Sequence, residues 1–312
     1  MIRFLRVLVA ATLGLTFIVI VVGAYVRLSD AGLGCPDWPG CYGHPVPRDI
    51  ADADALAKAW KEMGHRYLAG ALGLLLLLVA VLAWRARRAP WLASAIVLLV
   101  AFQATLGMWT VTMLLKPAIV TAHLIGGMTI LSLLLWYFLS LFPVADARSA
   151  LRAVAAAALS VVAAQIVLGG WVSANYAALA CPDLPGCRGV AVPQMDFANA
   201  FHVLRELGRT DDGDLLPLDA LVAIHWSHRM FALVVVAVVI AAALKALREP
   251  STKTVGIALL VLLAAQFSLG IANVALSLPL PLAAAHNAGA ALLLAALVVL
   301  NFCAFKGLPS LR

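Results

Sequence analysis

Eight apolar runs follow one another along the chain, near residues 7–27, 64–84, 91–112, 118–141, 152–174, 222–244, 254–276 and 283–305. Each is about as long as the roughly 20 apolar residues that carry a helix across the hydrocarbon of a bilayer. Within the runs almost no polar residue recurs to mark a solvated face, and between them polar, proline and glycine residues gather in loops. The pattern predicts an all-α integral membrane protein with eight transmembrane helices. Arg3 and Arg6 precede the first run, as in a secretory signal. That run is too long for a signal core and lacks a close small-residue cleavage pattern, so it is expected to be a retained anchor.

Composition strengthens this reading. The 312 residues are 64% hydrophobic and 12% charged, against about 25% charged in an ordinary soluble domain. The net charge of +7 does not point to nucleic acid, because the basic residues form no stripe or arm. They mark topology instead. Arg3, Arg6, Arg85, Arg87, Arg88, Arg148, Arg152, Lys245, Arg248, Lys253, Lys306 and Arg312 all fall on one side of the predicted spans. The two long loops, about 28–63 and 175–221, fall on the other. Both termini are therefore expected on the cytoplasmic side of the cell's inner membrane, with the long loops outside.

The two halves resemble each other. "GAYVRLSDAGLGCPDWPGC" (23–41) answers "GGWVSANYAALACPDLPGC" (169–187), "EMGHR" (62–66) answers "HWSHR" (225–229), "QATLGMWTV" (103–111) answers "QFSLGIANV" (266–274), and "TAHLIGG" (121–127) answers "AAHNAGA" (284–290). Such self-similarity predicts one structural unit per half. With four spans each, the halves are parallel repeats, so the expected architecture is two tandem four-helix bundles, residues 1–150 and 151–312.

Four histidines occupy matching places. His65 and His123 are separated by 58 residues, as are His228 and His286 (123 minus 65, 286 minus 228). Histidine inside a membrane span is costly and commonly functional, and facing helices of a bundle are a usual cradle for a cofactor. Two histidines per half suit the two axial positions of a haem iron. The alternative is that each hydrogen-bonds across its bundle. Zinc fits less well, since two histidines with no matching cysteine or carboxylate make a poor tetrahedral set. Gly126 and Gly127 after His123, and Gly289 after His286, are expected to leave room for a flat macrocycle. Arg66 and Arg229 directly follow two of the histidines; they are candidates for pairing with haem propionates, or are interfacial residues that snorkel. Glu62 stands three residues before His65, on nearly the same helix face, and its counterpart in the second half is His225. One acid in one of two copies suggests that one haem undergoes chemistry while the other transfers electrons; the competing reading is a solvated residue near a helix N-terminus.

Cys35 and Cys41 frame "CPDWPGC", and Cys181 and Cys187 frame "CPDLPGC". Both pairs lie in oxidising territory, and a disulfide is expected within each loop. So short a ring stabilises by roughly 2 kcal/mol at most, which leaves both a structural staple and a redox-active pair open. Cys303 is expected to be packing, and His44 and His202 are loop residues with no assigned role. The stretch 188–221 carries no interpretable motif, though its start is expected to form a short interfacial helix.

Taken together, "RLSDAGLGCPDWPGC", "EMGHR", the single histidine of the fourth span and their echoes in the second half make the chain resemble the heme A synthase family over essentially its whole length. The resemblance implies an eight-helix enzyme that oxidises a methyl group of heme O, through successive hydroxylations, to the formyl group of heme A. It implies haem b on His228 and His286 in the second half, and the substrate haem on His65 and His123 in the first. It also implies that Glu62 lies near the reacting methyl, and that Cys35 and Cys41 form a first-loop pair. A membrane heme O synthase would supply the substrate, and an unidentified electron acceptor or donor would complete the reaction. The main alternative is a non-enzymatic two-haem b-type cytochrome for quinol electron transfer. A thiol–disulfide oxidoreductase would leave the four histidines unexplained, and a haem transporter would need a path that no sequence feature demands.

Overall fold

The computed structural model describes residues 1–144 and 146–307. Arg312, counted above among the basic residues of one side, lies outside them. Among the described residues the secondary structure is helical apart from isolated bridges and turns. Eight helices are long and apolar enough to cross a membrane: α1 (Ile2–Leu28), α2 (Ala53–Ala86), α3 (Pro90–Thr112), α4 (Pro117–Ser140), α5 (Arg152–Ala174), α7 (Leu218–Leu247), α8 (Lys253–Ala275) and α9 (Leu280–Phe305). The remaining helix, α6 (Phe197–Ala200), is a single turn in the second long loop. The chain is a multi-pass membrane protein.

The helices begin where local chemistry lets them. Proline at the first positions of α3, α4 and α9 needs no backbone N–H partner there. Asp52 caps α2, accepting from the Ala55 N–H at 2.7 Å. The 34 residues of α2 extend over about 51 Å, well beyond the roughly 30 Å of hydrocarbon. Its apolar run begins near residue 64 but the helix starts at Ala53, so its first turns stand outside the membrane. The polar sequence hid this, because hydropathy registers only the spanning part.

Helix packing closes two rings. α1 packs on α2 and α4, and α3 packs on the same two; α5 packs on α7 and α9, and α8 packs on the same two. The rings meet where α1 and α4 lie against α9 and where α4 lies against α5. Each ring has its tight apolar core at one end. In the first, Leu5, Val9, Leu72, Leu76, Ile96 and Leu134 pack together. In the second, Leu151, Ala155, Val239, Leu259, Leu297 and Leu300 do so, joined by Met128 and Leu131 from α4. The seam is sealed by Leu135, Leu139, Val298 and Phe302, with Trp136 edge-on to Phe302 at 5.0 Å between centroids. All four conspicuous histidines lie toward the opposite end, where the long loops are.

Buried Asn301 on α9 ties this framework across helices, donating to the Ala155 carbonyl on α5 at 2.9 Å and to Leu297 at 2.8 Å. Asn301→Ala is expected to destabilise the second ring by about 1 kcal/mol, near the usual worth of an interhelical hydrogen bond in a membrane. Reversible unfolding in mixed micelles measures this; an unchanged midpoint would mean that packing alone holds the α5–α9 seam.

Candidate functional site

Two layers make up the loop-side end of each ring: a histidine pair, and a disulfide loop clamped above it. The layers are built from the same contacts in both halves.

His65 on α2 and His123 on α4 stand in the first ring of helices, and His228 on α7 and His286 on α9 in the second. Each couple thus comes from two helices of one ring. All four Nδ1 atoms are buried without a hydrogen-bond partner. The carbonyls of Gln103 and Gln266 approach His123 and His286 but do not reach hydrogen-bond geometry. The reading in which each histidine bonds across its bundle finds no partner at Nδ1; at Nε2 it finds the amides of Gln165 and Gln266, 3.4 Å from His228 and His286 respectively, and none at His65 or His123.

Each ring is seated against a glycine of the preceding helix. A Cβ built at Gly23 would lie 2.8 Å from His65 Cε1, at Gly107 3.4 Å from His123, at Gly169 3.1 Å from His228 and at Gly270 3.2 Å from His286. These four glycines were quoted within the repeated strings but not singled out. The expectation placed on Gly126 and Gly289 needs correction. A Cβ there would run into the amides of Gln103 and Gln266, so these positions make room for a glutamine from the neighbouring helix, not for a macrocycle. Gly127 faces Ile20. The cradle was legible only from pairs of helices, since each glycine serves a histidine on another element.

The loops above are held by one pattern of hydrogen bonds. Disulfides close Cys35–Cys41 and Cys181–Cys187. Asp37 accepts from the N–H groups of Tyr42 and Gly43 at 2.6 and 2.8 Å, and Asp183 from those of Arg188 and Gly189 at 2.5 and 2.8 Å. The backbone donors of Gly189 and Arg188 hold the Asp183 carboxyl below the usual range. Its contribution to loop order is thus complete at neutral pH and fades only as pH falls through that lowered value. The first loop presses on α2 so closely that a Cβ at Gly34 would lie 2.6 Å from the Lys58 backbone.

Arg66 and Arg229 face these loops. Arg66 Nη1 donates to the carbonyls of Asp37, Pro39 and Gly40 at 2.9, 3.2 and 2.6 Å. Arg229 donates to those of Asp183 and Gly186 at 2.9 Å each, and of Cys181 at 2.5 Å. Of the two guanidinium groups, considered above for propionates or for snorkelling, Arg66 turns Nη1 to the loop carbonyls and Arg229 both Nη1 and Nη2. The reason is geometric: a rigid fork at the mouth of the ring matches the inward-turned carbonyls of a seven-residue disulfide loop.

Glu62 is 5% exposed, which removes the reading of a solvated N-terminal residue. Its Oε2 accepts from the Cys35 N–H at 2.9 Å, and its Oε1 from Arg66. His225, also buried at 4% exposure, holds the same place. Its Nε2 accepts from Arg229 at 3.1 Å, and the Cys181 N–H approaches its Nδ1 at 3.4 Å. The halves differ at this joint in charge and in the donor used: the Glu62 carboxylate pairs with Arg66 Nη2, and the His225 imidazole accepts from Arg229 Nε.

Among the described residues, no cluster of three or more His, Cys, Asp and Glu side chains is arranged to hold a bare metal ion. The donor set is two imidazoles per ring. It fits an iron that brings its own four equatorial nitrogens, and the unpartnered ring atoms and glycine seats suit a flat group between the helices. Cys303 is free and buried. His44 lies beside Arg48 and Asp49, and His202 beside Asp211, in the loops. The second loop also buries Arg205, which donates to Asn175 at 2.5 Å and lies over Trp171.

Residues 6–298 match the model of the cytochrome oxidase assembly protein family. The chain is 44% identical to a heme A synthase of Shewanella oneidensis over 95% of both chains. It is 28% identical to one of Rhizorhabdus wittichii, over 91% of this chain and 89% of that one. A heme A synthase of Halalkalibacterium halodurans is 28% identical over 69% of this chain and 73% of its own. With motif strings, histidine couples and near full-length similarity in agreement, the chain belongs to the cytochrome oxidase assembly protein family that includes the heme A synthases.

Proposed function

We propose that the protein is a heme A synthase, an oxidoreductase that oxidises a methyl group of heme O to the formyl group of heme A. The observation that carries this reading is the pair of histidine couples, each ring with an unpartnered Nδ1 and a glycine seat. A non-enzymatic two-haem cytochrome would use the same couples. The relatives named heme A synthase and the single acid at position 62 favour the enzyme.

In this reading residues 1–150 form the substrate unit and residues 151–312 the cofactor unit, two copies of one ancestral bundle. His228 and His286 would hold haem b, and His65 and His123 would hold heme O. Bound haem supplies the electron chemistry; the chain supplies orientation and electrostatics. Where water supplies the oxygen, each of two hydroxylations of the methyl group would take one oxygen from water and release two protons and two electrons, and the geminal diol would lose water to leave the formyl group. Glu62 sits one turn before His65, its carboxylate steadied by Cys35 and Arg66. From there it stabilises positive charge developing at the methyl carbon, or takes the proton of an attacking water. Arg66 and Arg229 hold the disulfide loops as covers over the two sites. Heme O arrives through the bilayer from a membrane heme O synthase, and an electron acceptor or donor outside the chain completes the reaction. The protein lies in the inner membrane with both termini cytoplasmic, which sets the disulfides in an oxidising compartment.

His228→Ala or His286→Ala is expected to abolish the low-spin haem b signal of the purified protein while the helices survive; a wild-type spectrum from either variant would falsify the ligand assignment. Glu62→Gln keeps an acceptor for the Cys35 N–H and removes the charge. It is expected to lower heme A formation about 100-fold or more, read by chromatography of extracted haems; normal heme A would end the catalytic role of Glu62. A reporter that folds only outside the cytoplasm is expected to be active when fused within residues 28–52 or 175–217 and silent within 87–89. The opposite pattern would invert the topology.

A further inference from the structure

The two histidine couples differ in one respect that the acid at position 62 does not account for. In the second half, a glutamine amide lies against each ligand ring. Gln165 on α5 donates from Nε2 to the backbone carbonyl of His228 at 3.0 Å, and the same nitrogen lies 3.4 Å from His228 Nε2. Its Oε1 is buried without a partner. Gln266 on α8 brings its Nε2 to 3.4 Å from His286 Nε2, and its Oε1 is likewise unpartnered. The first half has a counterpart for only one of these. Gln103 matches Gln266, but its Nε2 is buried with no partner. The place of Gln165 is taken by Val19, which precedes Gly23 by four residues as Gln165 precedes Gly169.

We infer that Gln165 is a positioning residue that makes the second site a place of residence for its haem, while Val19 leaves the first site able to exchange. The inference rests on the proposed division into a cofactor site and a substrate site. Its physical basis is the bond from the Gln165 amide to the His228 carbonyl. That bond ties α5 to the turn of α7 carrying the ligand, and it lays the amide alongside the imidazole. A ring held this way loses little further freedom on binding iron, and preorganisation of this kind slows release more than it speeds capture. Groups behind a metal-binding histidine fix its orientation in the same manner. A cofactor has to stay through many turnovers, whereas a substrate must enter as heme O and leave as heme A. Valine at position 19 has no donor with which to restrain His65.

Transfer of haem from the purified full-length protein to excess apomyoglobin, followed with the optical and electron paramagnetic resonance spectra, tests this. Gln165→Val installs the residue of the first half. Gln165→Met keeps the length of the side chain without its N–H and controls for lost packing. Both are expected to release the second-site haem about tenfold faster, with part of the low-spin signal converted to high spin. The reciprocal Val19→Gln is expected to slow release from the first site, so that heme A co-purifies with the variant. Wild-type transfer rates and an unchanged low-spin signal in both Gln165 variants would overturn the inference. That result is distinct from failure of the parent reading, in which His228→Ala itself leaves the haem spectrum untouched.

Discussion

A polar ring nitrogen inside a bilayer has to be satisfied by something, and in four histidines of this protein one nitrogen, Nδ1, finds no partner in the chain. Their Nδ1 atoms are buried and unpartnered. A buried polar atom left in that state costs about 1–3 kcal/mol, and the amides of Gln103, Gln165 and Gln266 beside these rings each add another unpartnered atom. The rest of the architecture is arranged around this group of rings. The apolar cores sit toward the far end of each ring of helices, where ordinary side-chain packing suffices. The loop-side end is thinned by Gly23, Gly107, Gly169 and Gly270, whose lack of a Cβ lets each imidazole lie against a helix. The tight apolar packing is concentrated toward one end of the helices and the histidines toward the other.

The loops follow from the same constraint. A histidine couple near the outer ends of helices needs a cover, and irregular backbone at that depth needs hydrogen-bond partners. Arg66 and Arg229 supply them to loop carbonyls, while the aspartates at 37 and 183 take up inward-pointing N–H groups. The position just before each arginine carries a histidine of a couple, so cover and ligand share one turn of helix. Any shift of the loop is thereby felt at the site beneath it, through Glu62 in one half and His225 in the other.

Within this common frame, small differences separate the sites. An acid stands at one joint and an imidazole at the other. A valine stands at one repeat position and an amide at the other. Neither exchange disturbs the helix packing, because each replaces a side chain in a place the backbone already provides. Two bundles of closely similar construction can in this way take on unlike tasks with few substitutions.

Much of this was written in the chain. Eight long apolar runs left no alternative to membrane helices, because only self-satisfied backbone crosses hydrocarbon. The equal spacing of His65–His123 and His228–His286 marked the ligand candidates, since chance does not place paired histidines twice in apolar segments. The cysteine pairs were legible because seven residues of proline and glycine-rich chain can close on themselves. Other features were decided only by the tertiary structure. That the glycine seats belong to Gly23 and Gly169 and not to Gly126 and Gly289 depends on which helix lies beside which. That Arg66 and Arg229 bind loop carbonyls depends on where the loops fold back. That α2 begins at Ala53 depends on a cap and not on hydropathy. The physical reason is common to all three: hydrophobic transfer and local turn chemistry act along the chain and can be read there, whereas a contact between two elements is a property of their packing and belongs to neither sequence alone.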